Sequence, residues 1–324
     1  YQANFDAAEA VADIAVLEGV NADNPMAVRV CTHKDDEATV LRAKFYSRAQ
    51  RLELSNVMPI FNNMGLRVAQ ETGYKITASG SENVWIHDYE MYLDHAPEDR
   101  SGLEDIFRSA FLSIWHDQNE DDGFNALILP QAVHWRQVAV LRLLARYRKQ
   151  SGLDPSEHVQ IEALACYPKI TGLMLELFTT KFDPFVRISM DTRREKAAAI
   201  ESKMFAQMDK VTSLDHDRAL RRMALVLHAA LRTNFYITDE DGKAHPFISL
   251  KIDSQAVEDL PAPKPYREIF VWSPRVEGVH IRFGPVARGG LRWSDRRDDF
   301  RTEVLGLVKA QQVKNAVIVP VVPT

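Results

Sequence analysis

The sequence of 324 residues is poor in cysteine and has no long apolar run. Its two cysteines, Cys31 and Cys166, exclude a framework of several disulfides, and such sparse use is typical of a reducing compartment. No apolar run approaches the roughly 20 residues that span a bilayer. The N-terminus carries acids where a secretory signal carries basic residues. We therefore expect a cytoplasmic protein without a membrane segment.

Several motifs of common enzyme classes are also missing. The sequence has no G-x-G-x-x-G after a predicted strand, no G-x-x-x-x-G-K phosphate loop and no serine elbow. We therefore predict no dinucleotide-binding unit within this chain. The formal net charge of −5 argues against a dedicated nucleic-acid-binding protein, and the predicted strands lack aromatic residues that stack on bases.

Three regions follow from the periodicity of apolar residues. The pattern over residues 1–100 predicts an α+β domain with helices on one face of an antiparallel sheet. The pattern over residues 101–232 predicts packed helices, and the pattern over residues 233–324 again predicts strands. In the first region we predict strands over 38–47, 66–76 and 83–93 and a helix over 52–65, with Ser55 as N-cap and Gly65 just after its end. In the second, one helical stripe consists of Leu220, Met223, Ala224, Leu227 and Leu231. In the third, we predict strands over 245–253, 267–273, 278–284 and 315–321 and a helix over 298–312.

Two weaker patterns favour ordinary structure over chemistry. The segment 117–123 resembles the start of a calcium loop, but its glycine comes one place late and Ile128 stands where the loop needs a glutamate. We interpret it as a solvated loop. The histidines His87, His134 and His228 have no partner at the spacing of a metal site, so we interpret them as packing or surface residues.

Positive charge is concentrated near the C-terminus. From Arg282 to Lys314 there are eight Lys or Arg against four Asp or Glu. The pair Gly289 and Gly290 allows a ligand to approach the backbone, and the flanking Arg288 and Arg292 can bind carboxylates. Gln311 lies three residues before Lys314, so the two side chains can share a helix face. The pattern suits a small anion such as a dicarboxylate.

A purely structural explanation of this charge is also open. The acids Asp295, Asp298, Asp299 and Glu303 can pair with Arg296, Arg297 and Arg301 at a solvated helix start. This pairing leaves Arg288, Gln311 and Lys314 outside the acidic cluster.

The segment "GVHIRFGPVARGGLRWSDRRDDFRTEVLGLVKAQQVKNAVIVPV", supported by "PYREIFVWSP", resembles the very long NAD-dependent glutamate dehydrogenases of bacteria. Upstream, "LSNVMPIFNNMGLRV" with "VWIHDYEM" is similar to the third ACT-like domain of that family, and "DDGFNALIL" with "WRQVAVLRLLARYRKQ" to its helical linking region. The resemblance implies a mixed α/β and α+β fold. Its parts would be a ferredoxin-like ACT domain over 1–100, a helical linking region over 101–232 and the start of the α/β substrate domain over 233–324.

The resemblance also implies a binding site. Arg288, where shorter relatives carry lysine, and Lys314 would bind the two carboxylates of glutamate beside Gly289 and Gly290, and Gln311 would help to hold the α-carboxylate end. The family's catalytic lysine follows the "VIVPV" strand in a glycine-rich turn, where this sequence reads "VVPT". We therefore expect that lysine and the NAD-binding domain beyond Thr324. The chain would be a catalytically incomplete internal fragment of an enzyme that converts L-glutamate, NAD and water to 2-oxoglutarate, ammonia and NADH.

One function from another class stays open. The chain could act as a non-catalytic module whose ACT-like domain senses an amino acid or mediates oligomerisation. The resemblance implies a homo-oligomer that binds glutamate and 2-oxoglutarate, without nucleic acid or membrane as partners. If the chain ends where the sequence does, we expect the last strand to lack its sheet neighbours.

Overall fold

The computed structural model of the chain contains two compact units, each built from helices and strands. The structure describes residues 1–31, 36–48, 51–77, 83–94, 100–152, 156–285, 289–312 and 319–323. The first unit comprises residues 1–116 and 120–135, and the second comprises residues 117–119 and 136–324. The predicted mixed fold of helices and strands is confirmed, and the strand pairs of both sheets are antiparallel except Gly289–Leu291 with Val319–Pro323. The three predicted regions, with boundaries at 100 and 232, stay predictions.

The first unit is built on a four-stranded antiparallel sheet. Its elements are α1 (Ala7–Leu17), β1 (Met26–Cys31), β2 (Val40–Arg48), α2 (Leu54–Asn63), β3 (Leu66–Ile76), β4 (Val84–Leu93), α3 (Leu103–Trp115) and a 3-10 turn (Gly123–Leu127). The strand order is β1-β2-β4-β3, so the chain passes through α2 to the edge strand β3 and returns as β4 beside β2. The predicted strands and helix of this region are confirmed to within a few residues.

Successive side chains of β2 point to opposite faces of the sheet, and a helix covers each face. Phe45 packs against Phe61 of α2, with ring centres 5.5 Å apart. Lys44 and Tyr46 point the other way and contact Asp13 of α1 at 2.7 and 2.6 Å. The prediction of helices on one face was therefore wrong. Neither α1 nor β1 was predicted, and α1 covers the second face with charged side chains that apolar periodicity does not detect.

The prediction for α2 is correct at its C-terminal end and incorrect at its N-terminal end. Gly65 follows the C-cap Met64 and has a φ of 71°, the left-handed conformation that favours glycine there. The N-cap is Glu53 instead of Ser55, because the helix already begins at Leu54. The predicted stop was confirmed and the predicted start was wrong by two residues.

The second unit combines helices with a six-stranded sheet. Its elements are α4 (Trp135–Gln150), α5 (Glu157–Cys166), α6 (Pro168–Phe182), α7 (Met190–Met208), α8 (Leu214–Ala229), β5 (Ala230–Thr233), β6 (Ile248–Ile252), a 3-10 turn (Ser254–Ala256), β7 (Arg267–Trp272), β8 (Glu277–Arg282), β9 (Gly289–Leu291), α9 (Phe300–Gln312) and β10 (Val319–Pro323). The strand order is β5-β6-β7-β8-β10-β9, antiparallel except for the parallel pair β10 and β9. No helix in the described residues is long and apolar enough to cross a membrane. Leu231 lies in β5 and is 44% exposed, so its place in the helical stripe was wrong.

The C-terminal end of this sheet differs from the prediction. β10 lies between β8 and β9, with Val321 opposite His280 and Val319 opposite Gly289. The last strand therefore has a neighbour on each side, and the expectation that it lacks them was wrong. The reason is that Gly289 and Gly290, predicted to follow a strand, themselves form β9.

Lys181 of α6 joins this helix to the end of α8. Its Nζ donates hydrogen bonds to the carbonyls of Leu227 and His228, at 2.8 and 2.7 Å. Burial lowers the pKa of Lys181 from 10.5 to about 8, although the Glu201 carboxylate acts in the opposite direction. The folded chain therefore releases this proton at a lower pH than the unfolded chain.

This lowered pKa predicts a rise of stability with pH. Between pH 8 and 10.5 the unfolded state binds more protons at Lys181 than the folded state, so the free energy of unfolding of the wild type increases over that window. Lys181→Met removes this contribution. Urea unfolding at pH 7, 8.5 and 10 is expected to show the wild type gaining stability relative to the variant. Parallel pH profiles would contradict the assignment.

Candidate functional site

The predicted anion-binding residues lie at the ends of the segment β9-α9-β10. Gly289 and Gly290 begin β9, and Gln311 lies in the last turn of α9, where the structure describes its backbone. Arg288 and Lys314 lie outside the described residues. In the sequence, Arg288 directly precedes β9, and Lys314 follows the end of α9 by two residues.

The parallel pairing of β9 and β10 determines which ends of these elements meet. Parallel strands start at the same edge of a sheet, and here Gly289 lies opposite Val319, the first residue of β10. The chain leaves the far end of β9, runs through α9 and returns to the start of β10. The last turn of α9, with Gln311, therefore leads back to the edge at which Gly289 lies.

Arg292, interpreted from the sequence as a carboxylate ligand, is held by a side chain of its own unit. Its Nε lies 2.5 Å from Oε1 of Glu303, and Ser294 Oγ donates to Oε2 of the same carboxylate at 2.6 Å. The hydrogen bond from Ser294 is the largest cause that lowers the pKa of Glu303, and Arg292 adds to it. The role of Arg292 as a ligand for a substrate carboxylate stays a prediction.

The arginines at the start of α9 have different kinds of partner. Arg296 pairs with Asp299, with Nε 2.8 Å from Oδ1, as the local explanation predicted. Arg301 does not pair with the acids of the helix start, since its guanidinium contacts Glu268 of β7. The predicted local pairing was confirmed for Arg296 and was wrong for Arg301.

Glu268 is a buried charged residue of this region that the sequence patterns did not predict. It alternates with Phe270 and Trp272 on the buried face of β7, where its exposed fraction is 0%. An acid at a core position of a strand requires a buried cationic partner, because an unpaired buried carboxylate is costly. That pattern, "REIFVW", was the available signal.

His280 adds a neutral polar group beside β10. It lies in β8 opposite Val321 and is half-buried. Burial, followed by the positive charge of Arg282, lowers the pKa of His280 below its ordinary 6.5. The imidazole is therefore uncharged at neutral pH and adds no positive charge to this edge of the sheet.

The two weaker patterns of the sequence form protein contacts. Asn119 Oδ1 accepts a hydrogen bond from Arg142 at 3.0 Å, and Asp121 Oδ1 accepts one from Asn63 at 2.9 Å. His87 is buried, with Nδ1 2.9 Å from Glu71, and its Nε2 accepts the amide hydrogen of residue 52. Its interpretation as a packing residue is confirmed. Within the described ranges, no group of three or more His, Cys, Asp or Glu could hold a metal ion.

Three successive parts of the chain each match a known protein family. Residues 25–103 match the family described as glutamate dehydrogenase, ACT3 domain, and residues 119–184 match glutamate dehydrogenase, helical motif 3. Residues 203–323, which include β9, α9 and β10, match bacterial NAD-glutamate dehydrogenase, catalytic domain.

Individual relatives match nearly the whole chain. The chain is 42% identical over 323 residues to a NAD-specific glutamate dehydrogenase of Halomonas elongata and 41% identical over 322 residues to one of Pseudomonas aeruginosa. It is 40% identical over 328 residues to one of Mycobacterium tuberculosis. Each match includes 99% of this chain, which spans about a fifth (20%) of the length of each relative.

Proposed function

This chain belongs to the bacterial NAD-glutamate dehydrogenase family, and we propose that it is part of an enzyme that oxidises L-glutamate to 2-oxoglutarate and ammonia. The observation that carries this proposal is the match of residues 203–323 to the family's catalytic domain. Within that segment, the course of β9, α9 and β10 leads Gln311 back toward Gly289.

In the proposed site the chain binds the substrate at both ends. Arg288 binds one carboxylate of glutamate and Lys314 the other, while Gln311 holds the α-carboxylate end and the glycines of β9 leave room beside the backbone. Two fixed cations can orient a dicarboxylate because each attracts one end. The order of these positions along β9, α9 and β10 supports this arrangement.

The connection from β9 into α9 does not fit NAD. Its pyrophosphate requires a glycine-rich turn from a strand into a helix, and the connection from β9 to α9, residues 292–299, contains no glycine. We therefore place the cofactor site in another part of the enzyme, and this chain contributes substrate binding.

The N-terminal part is proposed as a ferredoxin-like ACT domain over 1–100, followed by the helical linking region over 101–232 and the substrate domain over 233–324. The order β2-β4-β3 around α2 supports the ferredoxin-like topology, with β1 next to β2 at the other edge. We also propose a cytoplasmic homo-oligomer. The outer face of α1 supports it, because Val11 and Ile14 are 67% and 54% exposed.

The proposal is tested on the full-length enzyme by calorimetric titration with 2-oxoglutarate. Lys314→Ala is expected to raise the Kd about 10- to 100-fold, because a hydrogen bond between charged groups contributes about 1.5–3 kcal/mol. Lys309→Ala is the matched control, since Lys309 lies on α9 and is exposed. Equal affinities of the two variants would remove Lys314 from the site. A wild-type enzyme without glutamate-dependent NAD reduction would contradict the function itself.

A further inference from the structure

Glu268 and Arg301 form a fully buried ion pair between β7 and the first turn of α9. Arg301 Nε and Nη2 donate to the two carboxylate oxygens of Glu268 at 2.8 and 2.7 Å. The side chains are 0% and 1% exposed, respectively. Burial by itself would lower the pKa of Arg301, but the Glu268 carboxylate outweighs it, so the pKa is raised. The guanidinium is therefore charged inside the core.

A second set of contacts holds the same end of α9. Gln150, the last residue of α4, donates from Nε2 to the carbonyl of Arg297 at 2.6 Å. Its Oε1 accepts the backbone N–H of Arg301 at 3.3 Å. The start of α9 is thus attached by directional bonds both to β7 and to α4.

These polar contacts fix the orientation of α9, which its apolar contacts cannot do. Phe300, Val304 and Val308 bury the inner face of the helix, but hydrophobic contacts have no preferred direction. A planar guanidinium and a carboxylate form two parallel bonds in one relative orientation only. A buried ion pair adds little stability over an apolar pair of similar volume, so its contribution is to geometry.

The geometry matters at the other end of the helix. Gln311 lies ten residues after Arg301, which corresponds to about 15 Å along the axis. A tilt of about 5° at the attached end would therefore displace Gln311 by about 1 Å. A displacement of that size lengthens a hydrogen bond of about 3 Å beyond its effective range, and the loss of one hydrogen bond to a charged group weakens binding about tenfold or more.

We propose that Glu268 and Arg301 are positioning residues for the substrate site, an inference that rests on the proposed function. They fix the direction of α9, and through it the place of Gln311. Neither residue touches the substrate. Their loss therefore weakens glutamate binding while the binding of NAD, placed elsewhere in the enzyme, is unchanged.

The test uses the double variant Glu268→Leu with Arg301→Met in the full-length enzyme. Two apolar residues of similar volume keep the core filled, so we expect a melting temperature within about 5 °C of wild type. The KM for glutamate is expected to rise about tenfold or more, by more than kcat falls, and the KM for NAD to change less than about twofold. Arg301→Lys, which keeps the charge but loses the planar pair of bonds, should raise the KM for glutamate by a smaller factor.

Each outcome decides between positioning and a merely structural role. A double variant with the wild-type KM for glutamate, or with equal increases for glutamate and NAD, overturns the proposal. If the double variant does not fold, an unchanged KM for glutamate in Arg301→Lys overturns it instead. A wild-type enzyme inactive on glutamate refutes the proposed function and this inference with it, whereas an active wild type with unaffected variants refutes the inference alone.

Discussion

Replacing Lys44 by methionine is expected to lower the free energy of unfolding of the chain by about 3–5 kcal/mol. Lys44 is 1% exposed, and its Nζ lies 2.6 Å from Glu9 and 2.7 Å from Asp13. Burial by itself would raise the pKa of Asp13, but hydrogen bonds from Lys44 and its other donors lower it, so the carboxylate is ionised. Removing the lysine leaves the buried negative charge with fewer partners. Guanidinium unfolding followed by circular dichroism measures the loss.

Two further variants show whether the loss of stability comes from the buried charge or from mutation in general. Arg67 and Asp94 form an ion pair of 3.0 Å with side chains 71% and 59% exposed, so Arg67→Ala should cost less than about 1 kcal/mol. Adding Asp13→Leu to Lys44→Met also removes the carboxylate that has lost its lysine partner, so the double variant should lose less than the sum of the single ones. A loss from Lys44→Met no larger than that from Arg67→Ala would show that the buried network contributes little.

Replacing Phe45 by alanine is expected to cost about 3–5 kcal/mol, because it leaves a cavity in the aromatic core of the first unit. Phe45 is fully buried, at 0% exposure. Its ring centre lies 4.6 Å from that of Phe111, 5.4 Å from Tyr89, 5.5 Å from Phe61 and 6.2 Å from Phe107. These rings belong to α3, β4 and α2, so one side chain holds three elements to β2. Thermal and denaturant unfolding of the chain measure the effect.

The matched control is an exposed phenylalanine. Phe185 is 78% exposed, so Phe185→Ala should change the free energy of unfolding by no more than about 0.5 kcal/mol. Phe45→Leu fills part of the cavity and should fall between the two alanine variants. If Phe45→Ala unfolded at the same denaturant concentration as Phe185→Ala, the aromatic cluster would not be the core of this unit.

Sequence patterns located several elements whose buried face is apolar. The strands predicted over 66–76 and 83–93 are found as β3 and β4, and the helix predicted over 298–312 is found as α9. The helix α1 was missed because it buries Asp13 while Val11 and Ile14 are exposed, the reverse of the usual pattern. Hydrophobic periodicity fails for α1 because charge occupies its buried side.

The candidate carboxylate-binding residues were not identified by hydrophobic periodicity. They were selected from the glycine pair, the local positive charge and the helical spacing, together with a family resemblance, and they are Arg288, Gly289, Gly290, Gln311 and Lys314. Their roles stay predictions. The structure adds the parallel pairing of β9 and β10, which leads the end of α9 back to the first glycine. It also pairs the flanking Arg292 with Glu303 of α9.

The sequence by itself determined the mixed architecture, most of the described strands, and the resemblance to bacterial glutamate dehydrogenases that the comparisons confirm. These properties depend on local periodicity and on the order of residues, both of which are present in the chain before it folds. Only the tertiary structure decided that Arg301 pairs with Glu268, 33 residues away, and that β10 enters the sheet between β8 and β9. Charges attract any opposite charge that folding brings within reach, so the choice among several acids depends on which one the packing buries beside the arginine.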